Sequence, residues 1–139
     1  MKFVLKDKNI FVLRFDKGEE MITELRKFCV KQKIGAAVFS GIGAARNVEL
    51  AHYDIDTKKY SEKTIPEKTE INGLAGTVAL MKKEIVIHCH GVFSNSQMRV
   101  WGGHVKRLII SATGEIVLEK FTGKIERKFS PEIGLNLMR

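Results

Sequence analysis

Apolar side chains gather in short runs at the start of the chain. Phe3, Val4 and Leu5, then Ile10 to Phe15, are rich in β-branched and aromatic residues, and the polar run Lys6 to Asn9 between them predicts two strands joined by a turn. The period then changes. Met21, Ile22, Leu25, Phe28 and Cys29 recur at helical spacing, so a helix with one buried face is expected. Asp16 or Gly18 is placed to cap it, Glu19 and Glu20 suit the positive end of its dipole, and Lys31, Gln32, Lys33 and Gly35 mark its end near Lys33.

From Ala36 onward the pattern is strand-like, with no second amphipathic helix. Strands are expected near Ala36–Ser40, Asn47–Tyr53, Lys59–Thr64, Thr69–Leu80, Glu84–Phe93, Arg99–Trp101, Leu108–Ala112, Ile116–Phe121 and Lys124–Phe129. Turn residues separate them at Asp56-Thr57-Lys58, Lys82-Lys83, Ser94-Asn95-Ser96, Thr113-Gly114 and Thr122-Gly123. Pro66 and Pro131 both fall outside these strands, as a continuous sheet requires. The expectation is an α+β fold, with an antiparallel sheet and one main helix. No repeat or linker divides residues 1–139, so a single domain is expected. Its core should span about residues 3–130, with an apolar tail, 131–139, packed on that core or on a neighbouring subunit.

Composition narrows the setting. No apolar run approaches the roughly 18 residues of a membrane span, and Lys2 and Lys6 put charge where a signal peptide needs an apolar stretch, so a cytoplasmic protein is expected. Cys29 and Cys89 lie far apart in apolar segments, which suits buried reduced thiols. The net charge of +8 favours polyanion partners, but it is dispersed over short pairs such as Lys58-Lys59 and Arg127-Lys128. Non-specific DNA association through charge is the most this distribution predicts. There is no Arg-Gly-Arg-Pro arm and no zinc-finger spacing.

Gly41-Ile42-Gly43-Ala44-Ala45-Arg46 begins like a dinucleotide-binding loop. Arg46 stands where the third glycine belongs, however, and a strand pattern follows where a helix is needed, so a tight strand-to-strand turn is expected. Gly73 and Gly76 suit bulge or close-packing positions. No G-x-S-x-G elbow occurs, and Glu84, Glu115 and Glu119 have no assignable acid–base role.

The sharpest chemical signal is Ile85-Val86-Ile87-His88-Cys89-His90-Gly91, followed by Gly102-Gly103-His104. Residues two apart on a strand share a face, which sets His88 and His90 side by side, roughly 7 Å apart at the backbone, and turns Cys89 the other way. If the Arg99–Trp101 strand pairs with theirs, His104 joins them. Three imidazoles with a fourth position open suit Zn²⁺ or a similar divalent ion. The alternative is a hydrogen-bonded polar pocket without metal. His52 stands alone and reads as a surface or interface residue.

The ordered set Gly18–Glu20, Ser40-Gly41-Ile42-Gly43-Ala44, Asp54, Leu74-Ala75-Gly76-Thr77, His88-Cys89-His90, Gly102-Gly103-His104 and Glu115–Phe121 resembles the plants-and-prokaryotes-conserved (PPC) domain family from end to end. The resemblance implies a sheet wrapped around one helix, assembled as a homotrimer and acting as an interaction module. It also implies a metal held by the residues matching His88, His90 and His104. The DNA-binding arms of plant members are missing here. The fold is similar to that of acetolactate decarboxylase, which implies an alternative: a small zinc-dependent, lyase-like enzyme for a compact oxo- or hydroxy-acid. In that case Arg99 or Lys106 would hold the carboxylate of the small-molecule ligand.

Overall fold

A computed structural model describes residues 1–139. Strands β1 (Lys2–Asp7) and β2 (Ile10–Asp16) form the expected first hairpin. Along β2, Phe11, Leu13 and Phe15 are buried while the residues between them are not, as the period of two requires.

Helix α1 spans Met21–Lys31 and buries Met21, Leu25, Phe28 and Cys29. Its cap is neither Asp16 nor Gly18. Asp16 is still paired in β2, opposite Thr113, and the carboxylate of Glu20 accepts from the backbone N–H groups of Ile22 and Thr23. Glu20 Oε1 also accepts from Leu108 N at 3.2 Å, which ties the helix start to the sheet. At the other end Lys33, at φ +53°, takes the left-handed conformation that ends the helix, two residues before Gly35. Ile34 N then reaches back to Cys29 O, and Lys33 N to Val30 O, closing the last turn in a Schellman arrangement.

The remaining elements are β3 (Ala37–Asp54), β4 (Lys59–Ile65), β5 (Thr69–Met81), β6 (Glu84–Ser94), β7 (Val100–Lys120), β8 (Arg127–Ser130) and β9 (Leu135–Met138). Two expectations are corrected here. The Gly41–Arg46 segment is not a turn but the middle of the 18-residue β3, and Thr113-Gly114 lies inside the 21-residue β7. These two long strands pair with each other along most of their length, with register shifts next to Gly43. The glycines serve to bend paired strands past each other at close range, not to reverse the chain. Because β3 also pairs with β5, β5 with β6 and β6 with β7, the seven-stranded antiparallel sheet, in order β1-β2-β7-β6-β5-β3-β4, closes on itself through the β7–β3 contact.

One cluster of 24 buried apolar residues runs from α1 through β2, β3, β5, β6 and β7, so the chain is a single domain of α+β type. Burying a side chain such as Leu13 or Phe15 completely stabilises the fold by about 1.5–3 kcal/mol. The strand expected over Lys124–Phe129 begins only at Arg127, as β8, and the apolar tail folds back on it as β9. Tyr53 donates to Ile133 O at 2.7 Å and holds this hairpin against the sheet. No helix is long and apolar enough to cross a membrane.

Candidate metal centre

On β6 the alternate residues Ile87, Cys89, Gly91 and Phe93 face the core, so His88 and His90 project from the outer face. Cys89, between them in sequence, points into the core on the opposite side of β6, which removes it as a ligand, and burial pushes its thiol up to about 12. β7 lies antiparallel beside β6 with His104 directly opposite His90. Gly102 and Gly103 lie in the β6–β7 ladder. They are paired strand residues, and a Cβ on Gly103 would sit 3.0 Å from the carbonyl oxygen of Ala51 on the adjacent β3, so a side chain there would crowd that backbone.

The three imidazoles form a compact triangle. Ring centroids are 5.1 Å apart for His88–His90, 5.1 Å for His88–His104 and 5.4 Å for His90–His104. One nitrogen from each lies within 4.8 Å of the other two, close enough for small side-chain rotations to bring all three onto one ion at about 2.0–2.1 Å. The donor set, three neutral nitrogens without a carboxylate, fits zinc or a related borderline ion better than calcium or magnesium.

Electrostatics keeps His88 and His104 unprotonated. Burial, followed by the charge of Arg127 and the neighbouring His104 and His90, lowers His88 to about 4. Burial, His90 and Lys106 also hold His104 below the usual imidazole value. Both rings are therefore neutral at pH 7, and protons compete for them at lower pH than for a free imidazole.

Arg127, on β8, is the neighbour that sequence reasoning missed. Its Nη2 donates to Thr77 Oγ1 at 3.2 Å and lies 3.2 Å from His88 Nδ1, while Nη1 donates to Asn136 O at 3.0 Å. Nothing in the sequence flagged it, because the Arg127-Lys128 pair has the composition of an ordinary solvated edge, and 39 residues separate Arg127 from His88. On the other flank the Tyr60 ring lies 6.2 Å from that of His104 and 4.9 Å from Tyr53.

The other candidates are elsewhere or engaged. Arg99 lies in the turn closed by Asn95, whose Oδ1 accepts from Arg99 N. Lys106 shares the outer face with His104, but its Nζ is bound to Glu62 at 2.5 Å. His52 is exposed and lies outside the triangle. The larger surface hollows do not include the triad. One, of about 500 Å³, is lined by Lys33, Lys83, Lys120 and Lys124 together with Phe121.

Residues 4–122 match the family model of the Plants and Prokaryotes Conserved (PCC) domain. The fold is similar to that of a candidate DNA-binding protein from Bacteroides thetaiotaomicron, at 29% identity and a TM-score of 0.94, over 97% of this chain and 94% of that one. It is also similar to a metal-containing protein from Archaeoglobus fulgidus, at 31% identity and a TM-score of 0.88, over 100% and 99% of the two chains. Among curated proteins, the bifunctional protein GlmU of a Synechococcus strain is 30% identical over 123 residues, which cover 87% of this chain. The chain spans only 18% of that protein's length.

Proposed function

This chain belongs to the Plants and Prokaryotes Conserved domain family, and from that premise we propose that it is a cytoplasmic, homotrimeric binding module whose His88, His90 and His104 hold zinc or a similar divalent ion. The observation that carries the reading is the convergence of one nitrogen from each ring to within 4.8 Å. The similar protein from A. fulgidus is described as metal-containing, which supports it. An ion held there would supply a Lewis acid with a coordination position open to a small ligand. Calorimetric titration of the purified chain with zinc tests this. One ion per chain is expected, and heats no larger than dilution would overturn the assignment.

The zinc-dependent, lyase-like alternative uses the same histidines. A module is the better reading, because the groups in ring or hydrogen-bonding contact with the triad are Arg127 and Tyr60 and not a carboxylate base. A lyase would show turnover of a compact oxo- or hydroxy-acid by the zinc-loaded chain, and such turnover would displace the module reading.

Trimer formation rests on what remains uncovered. Val38, Ile42, Val92 and Val117 are exposed on the sheet, and β1 and β4 are its edges. Light scattering behind size exclusion should give about three times the 15.7 kDa chain mass. A monomer peak at micromolar concentration would reject it.

DNA association is a second reading, favoured by the four lysines around one hollow and by the similar candidate DNA-binding protein. With +8 per chain, binding to duplex DNA should be non-specific and should weaken about a thousandfold between 50 and 200 mM salt as counterion release is lost. Nanomolar, sequence-dependent binding in a gel shift at the higher salt would contradict this.

A further inference from the structure

Arg127 is out of electrostatic balance. It is partly buried, yet none of the six ion pairs in the structure includes it. Its Nε is buried and has no hydrogen-bond partner. Nε and Nη2 share the edge of the guanidinium that takes a carboxylate in two parallel hydrogen bonds, and here that edge faces Thr77 and His88.

Its contact with His88 is chemically informative. A guanidinium has only donors, so the Nη2 contact at 3.2 Å requires a lone pair on His88 Nδ1 and leaves the ring proton on Nε2. A neutral imidazole has one lone pair, and Arg127 occupies it. Whichever nitrogen of His88 turns to an ion, Arg127 must release that ring: ligation through Nδ1 needs the same lone pair, and ligation through Nε2 moves the proton to Nδ1, against another N–H. The side chain can swing without undoing the hairpin, because Tyr53 to Ile133 O, Lys58 Nζ to Pro131 O at 2.8 Å and Leu80 N to Ile125 O at 2.7 Å anchor it independently.

We propose that Arg127 is the anion-recognition arm of the histidine centre, so that a small carboxylate binds with one oxygen toward the ion held by His88, His90 and His104 and both oxygens within reach of the Nε–Nη2 edge. This rests on the metal reading above. Arg127 exchanges the His88 lone pair for a carboxylate, which satisfies its free Nε–H and neutralises a charge that an added dication would make more costly to keep unpaired. The Nε–Nη2 fork matches the two oxygens of a planar carboxylate with two parallel hydrogen bonds.

Cobalt(II) serves as the probe ion, because its visible spectrum reports a change of ligand without any turnover. Wild-type and Arg127→Gln chains, matched by circular dichroism, are loaded with cobalt(II) and titrated with acetate, or with sulfate as the tetrahedral control. Acetate should perturb the wild-type spectrum at a concentration at least about tenfold lower than in the variant. Without anion the variant should bind cobalt(II) at least as tightly as wild type, because the competitor for His88 is gone. Equal acetate titrations in two metal-loaded proteins would overturn the role of Arg127 and leave the metal centre standing. An Arg127-dependent response to sulfate alone would overturn the carboxylate assignment, and tenfold weaker metal binding by the variant would overturn the competition. Failure of the wild type to bind cobalt(II) or zinc at all would remove the metal reading and this one with it.

Discussion

Replacing His104 or His88 with alanine is expected to weaken zinc binding by at least about a hundredfold, a larger loss than removing a group that only orients a ligand. Each ring supplies one of three donors within 4.8 Å, and no neighbouring carboxylate or thiolate can take its place. Cys89 faces the core with its thiol at about 12, and Lys106 is held by Glu62. The fold should survive both changes, since the rings project from the outer face of the sheet and are not members of the buried cluster. The matched control is His52→Ala, an exposed histidine outside the triangle, which should bind zinc like wild type. Titration calorimetry with elemental analysis reads all four proteins. If His52→Ala lost as much metal as His104→Ala, or if His104→Ala kept its ion, the triangle would not be the site.

Gly43→Ala is expected to destabilise the protein by about 3 kcal/mol or more, seen as a fall of about 10 °C in Tm or a matching drop in urea midpoint. Two effects combine at this residue. Its φ of +149° lies where side chains are strained, and a Cβ there would collide with the carbonyl oxygen of Thr113 and sit 2.8 Å from the Cα of Gly114. Neither neighbour is a flexible side-chain end; both are the backbone of β7 at the point where β3 and β7 change register. Relief would require the two longest strands to separate where they close the sheet. Gly73→Ala is the control, because a Cβ there meets nothing within 4 Å although Gly73 also adjoins a register shift. Its stability should stay within about 1 kcal/mol of wild type. Equal losses at both positions would mean that the effect is general strand disruption and not closure at Gly43.

The shared requirement of these two experiments is that β7 be one long element. Its first residues carry His104 to β6, and its last residues carry Gly114 and Ile116 to β3. His104 lies opposite Ala51 of β3 as well as His90 of β6, so the half of β7 that carries the donor also takes part in the closure. As built, the same strand positions a donor and closes the sheet.

The local pattern was sufficient for much of this architecture. The alternation of Phe11, Leu13 and Phe15, the helical recurrence of Met21, Leu25, Phe28 and Cys29, and the two-residue spacing of His88 and His90 each state which side of an element is buried, and a single period determines that without reference to the rest of the chain. The inward placement of Cys89 followed for the same reason. What the pattern lacked was the identity of the partner across a gap. Glycines in Gly41–Gly43 and Gly114 look like turns because turns are where an isolated strand most often needs them; only the pairing of β3 with β7 reveals that they make room for a neighbouring backbone. Glu20 outcompetes Asp16 as the helix cap because Asp16 remains in the β2–β7 ladder, a contact between residues far apart in sequence. Arg127 beside His88 is the extreme case: a charged side chain carries no periodic signal, and its position is set by a hairpin docked through Tyr53, Lys58 and Leu80. Sequence alone determined the faces of the elements and two of the three histidine positions relative to each other. Tertiary structure decided which faces meet, because pairing and close approach depend on the free energy of contacts between distant segments, which no local spacing encodes.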